Sequence, residues 1–250
     1  MRTIAIANQK GGCGKTTTAV NLSASLAGQG LSVLLIDLDP QGHATLGLGY
    51  DPETAEKTIY DVISNPEVLM SKVILETNIR GLRLVPSNIL LSGAEVEMAS
   101  LTGREYVLSQ RLESVNSNFD ICVIDCSPSL GLLTLNALVA SSEVIIPVQA
   151  HYYALEGLKQ LLETINIVKV RFNSSLKICG ILLTFVEDRT LLSRQIQDQM
   201  REFFTTLLLD TVIHRTIKLA EAPSAGEPIQ SYAPRSRGAI EYEILAKEVV

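Results

Sequence analysis

A single α/β domain with a doubly wound, mostly parallel sheet and helices on both faces is predicted for residues 1–250. Short apolar runs rich in β-branched residues alternate with longer helical patterns along the whole chain, which is typical of repeated strand–helix units. Most of the runs lack strict apolar–polar alternation, as expected for strands that are buried on both faces of a sheet. No internal repeat and no flexible linker divides the chain.

The predicted elements follow in chain order. The strands are Thr3–Ala7, Val33–Ile36, Leu82–Val85, Ile121–Ile124, Val144–Val148 and Ile178–Leu183. The helices are Thr16–Ala27, Arg104–Val115, Leu130–Ala140, Leu155–Val170 and Leu192–Phe204. Gly49–Ile79 is the least regular region, with short helical pieces expected around Ile59–Ile63 and Glu67–Val73. Pro223–Pro234 is rich in loop-forming residues and precedes a closing helix at about Arg237–Val249.

The composition excludes several classes of protein. Hydrophobic residues make up 46% of the 250 residues and charged residues 19%, so a large core is expected rather than disorder. The net charge is -6, so any contact with nucleic acid has to come from a local basic patch. The longest uncharged stretch, Cys126–Ser142, falls short of the roughly 20 apolar residues that a membrane span needs. Four cysteines without a C-x-x-C pair predict reduced thiols, a cytoplasmic protein and no zinc site.

A glycine-rich loop lies between the first predicted strand and the first predicted helix. Its residues are Lys10, Gly11, Gly12, Cys13, Gly14, Lys15, Thr16 and Thr17. Glycines let backbone N–H groups turn toward phosphate oxygens, and the following helix N-terminus adds positive potential. Lys15 is positioned in this pattern to reach the β- and γ-phosphates, and the Thr16 hydroxyl to ligate Mg²⁺. Gln9 replaces the first glycine of the ordinary phosphate-loop pattern, and Lys10 adds a second lysine, so the loop has the deviant form K-G-G-x-G-K-T.

Three carboxylates follow buried strands. Asp37 and Asp39 come at the end of the strand that begins at Val33, and Asp125 follows Ile121–Ile124. Ligands of a parallel α/β sheet collect at the carboxyl ends of its strands. Two carboxylates separated by one residue point the same way, so one can face Mg²⁺ and the other an attacking water. Taken alone, Asp-x-Asp-Pro is also compatible with a simple chain turn after a strand.

Four segments carry a resemblance that extends over nearly the whole chain. Beyond the glycine-rich loop these are residues 35–42 (LIDLDPQG), 124–131 (IDCSPSLG), 152–158 (YYALEGL) and 219–229 (LAEAPSAGEPI). Together they resemble the deviant-Walker ATPases with a P-loop NTPase fold, and most closely the short ParA/Soj-type DNA-partition ATPases. The last two segments are more specific signatures than the loop, and they favour the ParA branch over other deviant-Walker ATPases.

The resemblance implies roles for individual residues. ATP and Mg²⁺ are the expected cofactors, and the expected catalytic groups are Lys10, Lys15, Asp39 and Asp125. Within that set Asp39 positions or activates the attacking water, while Lys10 crosses to the ATP of a second subunit and so makes an ATP-sandwich homodimer. The implied Mg²⁺ ligands are Thr16, Asp37 and Asp125. Gly131 lies in the segment that senses the γ-phosphate, and Pro223, with Thr184, lies near the adenine.

The resemblance also implies DNA binding without sequence preference by the ATP-bound dimer. The positions that match the family's DNA-binding residues are Arg189, Arg215 and Lys218, and Arg235 and Arg237 lie just beyond them. Phosphate contacts of this kind are salt-sensitive and independent of sequence. The implied partner is a ParB-type centromere-binding protein that stimulates hydrolysis, and the implied location is cytoplasmic, on the nucleoid when ATP is bound.

The chain departs from the usual family pattern at several positions. His214 and Ser127 each stand where proline is common, His151 stands where an acidic residue is common, and His43 where asparagine is common. None of these removes a catalytic group, but they bear on DNA affinity and on the choice of partner. We expect the three histidines, which are dispersed in sequence, to be surface or loop residues rather than metal ligands.

Other functions remain open at this stage. A MinD-like membrane ATPase has the same loop and dimer but needs a basic amphipathic C-terminal helix, whereas residues 241–250 contain three acidic residues and one lysine. A nucleotide-gated scaffold with little turnover would not need the water-positioning Asp39. Since the phosphate loop begins at residue 10, we expect no N-terminal helix-turn-helix, and the acidic residues 241–250 lead us to expect no membrane attachment.

Overall fold

The computed structural model describes residues 1–150, 154–187 and 191–250. Its strands are β1 (Arg2–Ile6), β2 (Val33–Leu38), β3 (Leu75–Glu76), β4 (Leu82–Val85), β5 (Ile121–Cys126), β6 (Glu143–Gln149), β7 (Lys177–Val186) and β8 (Leu208–His214). Its α-helices are α1 (Lys15–Gly28), α2 (His43–Gly47), α3 (Ile59–Ser64), α4 (Leu91–Met98), α5 (Val107–Glu113), α6 (Leu132–Ala140), α7 (Ala154–Arg171), α8 (Leu191–Phe203), α9 (Ile217–Glu221), α10 (Ile229–Tyr232) and α11 (Arg237–Val249). Short 3-10 turns span Met70–Lys72, Arg104–Tyr106 and Ala222–Ala225.

The strands form one eight-stranded sheet in the order β3-β4-β2-β5-β1-β6-β7-β8. Every neighbouring pair is parallel except β3 and β4, which are antiparallel at one edge. β1 lies between β5 and β6, so the strand order changes direction around the strand that leads into the glycine-rich loop. This confirms the predicted doubly wound α/β fold and puts the loop where such sheets bind ligands.

Both faces of the sheet are covered by helices. Along β2, Leu34 and Ile36 pack into one core, while Val33 and Leu35 pack into the other, and all four side chains are fully buried. Helices α3 to α8 cover the first face, and α1, α10 and α11 cover the second. Burial on both faces explains why the strand sequences are continuous apolar runs.

The structure differs from the sequence prediction at several elements. β8 and α4 were not predicted, and of the helical piece expected at Glu67–Val73 only the turn Met70–Lys72 forms. The predicted helix Arg104–Val115 begins as a 3-10 turn, and the expected loop Pro223–Pro234 includes α10. β8 has polar residues in its middle because it is an edge strand, where alternate side chains face solvent.

The outer edge of β8 is covered by two glutamates of α11. The Glu248 carboxylate accepts hydrogen bonds from the backbone N–H groups of Asp210 (2.6 Å) and Thr211 (3.0 Å). Glu241, one heptad earlier, accepts from the N–H of His214 at 2.9 Å. Side-chain acceptors thus satisfy donors that would otherwise be open to pairing with another strand.

We expect Glu248→Gln to lower the free energy of unfolding by about 1 kcal/mol, because an amide cannot accept both backbone bonds as strongly as a carboxylate. Urea unfolding followed by circular dichroism measures the change. Glu243→Gln is the matched control, since Glu243 is exposed on the same helix. Equal stability of the two variants would show that the β8 edge does not depend on Glu248.

Candidate functional site

The phosphate loop runs from the end of β1 into α1. Gly12 and Gly14 have φ values of +70° and +87°, a region that residues with a side chain rarely adopt. Gly14 is the N-cap of α1, and the first turn of the helix contains no acidic residue. The N-terminal end of α1 therefore offers free backbone donors and positive potential to an anion.

Internal hydrogen bonds hold the loop in shape. The Lys15 ammonium is buried and donates to the Lys10 carbonyl at 3.1 Å, and the Cys13 thiol approaches the same carbonyl at 3.2 Å. The Lys10 N–H donates to Asn8 at 3.0 Å, while the Lys10 residue itself is exposed. Burial raises the pKa of the Cys13 thiol, so this cysteine is kept in its neutral form. Lys15 thus lies inside the loop and Lys10 at its outer surface.

Asp37 and Asp125 are direct neighbours across the sheet, since β2 and β5 pair with Asp37 opposite Asp125. Both carboxylates are fully buried, and Asp39 follows β2 with 7% of its surface exposed. Asp39 accepts a hydrogen bond from the Gln41 N–H at 3.0 Å, and its own N–H donates to Asp37 at 3.2 Å. The structure therefore brings together the three carboxylates that the sequence singled out.

The carboxylate of Asp125 has no hydrogen-bond partner on either oxygen among the described residues. Burial raises the pKa of Asp125 well above its ordinary value, the negative charge of Asp37 adds to the effect, and the nearby Thr16 and Lys15 oppose it. An unpartnered buried carboxylate is costly unless a ligand completes its environment. A carboxylate and a hydroxyl are oxygen donors of the kind that Mg²⁺ prefers, so Asp125 and Thr16 fit a magnesium site.

The Asp37 carboxylate has a different environment. One oxygen accepts both the N–H (2.8 Å) and the hydroxyl (2.7 Å) of Thr45 in α2, and the other accepts the N–H of Asp39. Burial raises the pKa of Asp37 to about 6, and the hydrogen bonds from Thr45 oppose the rise. Asp37 thus anchors α2 and the Asp39 turn, and its role as a Mg²⁺ ligand stays a prediction.

Thr45 is a site residue that the sequence analysis missed. Besides its bonds to Asp37, its hydroxyl accepts the N–H of Ser87 at 3.0 Å, which links β2, α2 and the segment after β4. Glu95 of α4 was missed as well, and it accepts the N–H of Leu133 at the start of α6, just after Gly131. Neither residue lies in a motif, because its partner comes from a distant part of the chain.

A cavity of about 730 Å³ opens beside the phosphate loop. Its lining includes Gly14 and Thr17 from the loop, Thr184 from the end of β7, and Pro223 and Ser224. The Thr184 hydroxyl donates to the Cys13 carbonyl at 2.8 Å and so ties β7 to the loop. The residues that the resemblance connects with adenine thus lie together next to the loop, and the cavity is large enough for a base and a sugar.

Two of the predicted DNA-binding residues, Arg215 and Lys218, follow β8 in the chain. Arg215 directly follows β8 and is exposed, but its guanidinium contacts Glu187 at 3.2 Å. Lys218 contacts Glu221 at 2.9 Å and lies over the ring of Tyr232. Arg189 lies outside the described residues, as does His151. The basic groups in the described part of this surface are therefore partly balanced by carboxylates, and exposed pairs of this kind are weak.

One expectation for the histidines is wrong. His43 is exposed, as expected, but His214 is buried at the end of β8. Its ring contacts Glu241 at 2.5 Å and Arg237 at 2.6 Å. Arg237, considered as part of the basic face, also donates to Glu241 at 2.8 Å. Sequence spacing did not indicate this cluster, because α11 meets β8 only in the folded chain.

Similar proteins identify the family. A family model described as an AAA domain matches residues 1–178. The sporulation initiation inhibitor protein Soj of Bacillus subtilis (strain 168) is 50% identical over 246 residues, 98% of this chain and 97% of that protein. The chromosome-partitioning ATPase Soj of Treponema pallidum (strain Nichols) is 43% identical over 249 residues, 100% of this chain and 97% of that protein. The chain belongs to the ParA/Soj family of ATPases.

Solved structures agree with this assignment to the ParA/Soj family. The structure described as cobyrinic acid a,c-diamide synthase from Mycobacterium smegmatis, with bound ADP and magnesium, has a TM-score of 0.87 and 39% identity, covering 99% of this chain and 93% of that chain. The structure of the cell division ATPase MinD from Pyrococcus furiosus has a TM-score of 0.81 and 26% identity, and the match covers 99% of this chain and 98% of that chain. The ParA/Soj chain therefore shares its fold with proteins that bind nucleotide and with a MinD ATPase.

We expect Asp125→Asn to stabilise the nucleotide-free protein by about 1 kcal/mol or more at pH 8, since it removes a buried unpaired charge. A carboxyl whose pKa is raised on folding binds its proton more tightly in the folded state. The contribution of Asp125 to stability should therefore fall as the pH rises above about 4, so the advantage of the variant over wild type should grow with pH.

Urea unfolding at pH 5 and pH 8, with a chelator and without nucleotide, measures both effects. Glu113→Gln, which changes an exposed carboxylate on α5, serves as the control. The same stability difference between Asp125→Asn and wild type at both pH values would contradict the assigned burial cost.

Proposed function

We propose that the chain, as one domain over residues 1–250, is a Mg²⁺-dependent ATPase that dimerises around ATP and acts in plasmid or chromosome partition. The observation that carries the proposal is the unpartnered, buried Asp125 carboxylate beside a phosphate loop whose helix N-terminus lacks acidic residues. Family members named Soj and chromosome-partitioning ATPase, at 50% and 43% identity, support the partition role.

In the proposed mechanism the loop residues Gly11 to Thr17 bind the phosphates through backbone N–H groups and the N-terminus of α1. Lys15 leaves its contact with the Lys10 carbonyl and pairs with the β- and γ-phosphates. Thr16 and Asp125, with Asp37 beside them, hold Mg²⁺. When bound, Mg²⁺ neutralises charge on the phosphate oxygens and so favours nucleophilic attack by water.

Asp39 orients the attacking water and accepts its proton. Its position supports this role, because the turn after β2 is held by the Asp37–Thr45 bonds and Asp39 is only 7% exposed. A carboxylate on a fixed turn can keep a water in line with the γ-phosphate at little entropic cost. Thr45 therefore acts as a positioning residue for Asp39.

Lys10 supplies the link to dimerisation in this proposal. Its exposed side chain at the outer surface of the loop reaches the ATP of the second subunit. Two polyphosphates that face each other need cationic groups beyond one lysine each, and a lysine from the partner subunit provides them. Hydrolysis weakens this contact and returns the protein to a monomer.

The dimer is proposed to bind duplex DNA through Arg189, Arg215 and Lys218, each present twice. Doubling the number of phosphate contacts strengthens binding steeply and makes it salt-dependent. Glu187 and Glu221 then compete with DNA phosphates for Arg215 and Lys218. A ParB-type centromere-binding protein is the proposed activator of hydrolysis, and the protein is proposed to be cytoplasmic and nucleoid-associated when it carries ATP.

A MinD-like ATPase that positions proteins on a membrane is the second candidate, because a MinD structure shares the fold. On α11, Tyr242, Leu245 and Val249 are packed in the core, whereas Ile240 and Ile244 are about half exposed. Within the described residues no helix combines the length and the apolar character required to cross a bilayer. The partition role is favoured by the relatives named Soj, at 50% and 43% identity over nearly the whole chain.

We expect Asp39→Ala to lower the ATP hydrolysis rate by about a hundred-fold or more, while ATP binding persists, because only the water-positioning group is lost. Phosphate release measures hydrolysis, and size-exclusion chromatography with ATP measures the dimer, which the variant should retain. Glu113→Ala is the matched control and should hydrolyse ATP like wild type. Wild-type turnover by Asp39→Ala would contradict the role of Asp39.

We expect wild type to bind random duplex DNA only with ATP, not with ADP or without nucleotide, and to lose this binding steeply as salt rises. Arg215→Glu should lose DNA binding but keep the ATP dimer. Arg80→Glu is the control, since Arg80 is exposed near the opposite edge of the sheet. Fluorescence anisotropy of a labelled duplex measures binding. ATP hydrolysis without DNA binding in any state would favour the MinD-like alternative.

A further inference from the structure

A network of three polar side chains, two of them buried, joins the end of β8 to α11. The His214 and Glu241 side chains are only 8% and 10% exposed, and the His214 Nδ1 atom lies 2.5 Å from Glu241 Oε1. Arg237 Nε donates to the same oxygen at 2.8 Å, and the His214 backbone N–H donates to Glu241 Oε2 at 2.9 Å. Both oxygens of the buried Glu241 carboxylate thus take part in hydrogen bonds.

The third side of the network is the contact between Arg237 Nη2 and His214 Nε2 at 2.6 Å. Arginine can only donate, so a neutral His214 ring with its proton on Nδ1 satisfies the contacts with both Arg237 and Glu241. Charge-assisted bonds in a buried setting are strong and directional. The orientation of the His214 ring and backbone is therefore tightly determined.

Of the three network residues, His214 lines the cavity beside the phosphate loop, and Glu241 and Arg237 contact it from behind. His214 and its neighbours Ile213 and Arg215 line that cavity, as does Tyr242, which follows Glu241 on α11. The Tyr242 hydroxyl lies 3.3 Å from the hydroxyl of Thr18, in the first turns of α1 after the loop. Consecutive residues of α11 thus hold the cavity wall and the helix that carries the phosphate loop.

The segment that follows His214 depends on this anchor. The Arg215 N–H donates to Val186 at the end of β7 at 3.2 Å, and the Thr216 hydroxyl caps α9 by accepting the N–H of Leu219. From α9 the chain continues into the turn Ala222–Ala225, which carries Pro223. A shift of His214 would therefore move the whole wall between β8 and Pro223.

We propose that His214, Glu241 and Arg237 are positioning residues for the base of the bound nucleotide, which they serve by fixing the cavity wall that follows β8. The inference rests on the proposed function, since it assumes that this site binds a nucleoside triphosphate. The phosphate loop lies on the other side of the cavity and has its own hydrogen bonds. The contact with α1 is made by Tyr242 and not by the three network residues, so we expect a change in the network to affect contacts with the base more than contacts with the phosphates.

The test compares ATP with inorganic tripolyphosphate, each with Mg²⁺, because tripolyphosphate can use the loop but not the base cavity. Isothermal titration on Glu241→Gln should show ATP binding about ten-fold weaker, which corresponds to the loss of one buried charge-assisted hydrogen bond. Tripolyphosphate binding should stay at the wild-type value. Glu248→Gln is the matched control, since it removes the other α11 carboxylate that binds β8, away from the cavity.

Equal ATP affinity in Glu241→Gln and wild type would overturn the inference, as would parallel losses for ATP and tripolyphosphate. If Glu241→Gln does not fold, Arg237→Gln replaces it, since the Arg237 side chain is 54% exposed, and the same selective loss of ATP binding is expected. Lys15→Ala separates the two proposals, because it should weaken both ligands. Failure of wild type to bind either ligand would contradict the proposed function itself.

Discussion

The pairing of β2 with β5 is the contact on which the site depends. It brings Asp37 opposite Asp125 at the carboxyl ends of two central strands, where both carboxylates are fully buried. Asp37 is compensated by Thr45 and the Asp39 backbone, whereas Asp125 has no partner among the described residues. The two neighbouring carboxylates thus have different environments, and that of Asp125 fits the proposed role in holding Mg²⁺.

From this pair, hydrogen bonds extend to the parts of the site that are proposed to act together. Thr45 joins Asp37 to Ser87, and the turn after β2 carries Asp39. Beyond α2, Gly49 lies against Gly226 so closely that a Cβ on Gly226 would be 2.6 Å from the Gly49 Cα atom. The segment that follows α2 and the turn that carries Pro223 are therefore in close backbone contact.

Helix α11 closes the fold on the side opposite α3 to α8 and stabilises the edge strand. Its apolar residues pack on α1 and the sheet, while Glu241 and Glu248 satisfy backbone donors of β8. Of these two glutamates, only Glu241 also contacts the side chains of His214 and Arg237. One helix thus protects a sheet edge and, through Glu241, holds His214 in the cavity wall.

The sequence by itself determined the fold class, the positions of the main strands along the chain and the phosphate loop, because local apolar runs and a contiguous motif carry that information. It also indicated Asp37, Asp39 and Asp125, since each follows a recognisable strand. Tertiary structure alone decided that Asp37 binds Thr45, that β8 forms an edge covered by α11, and that His214 is buried with Glu241. Those contacts join residues that are far apart in the chain, and their hydrogen bonds depend on the three-dimensional packing of the sheet and helices.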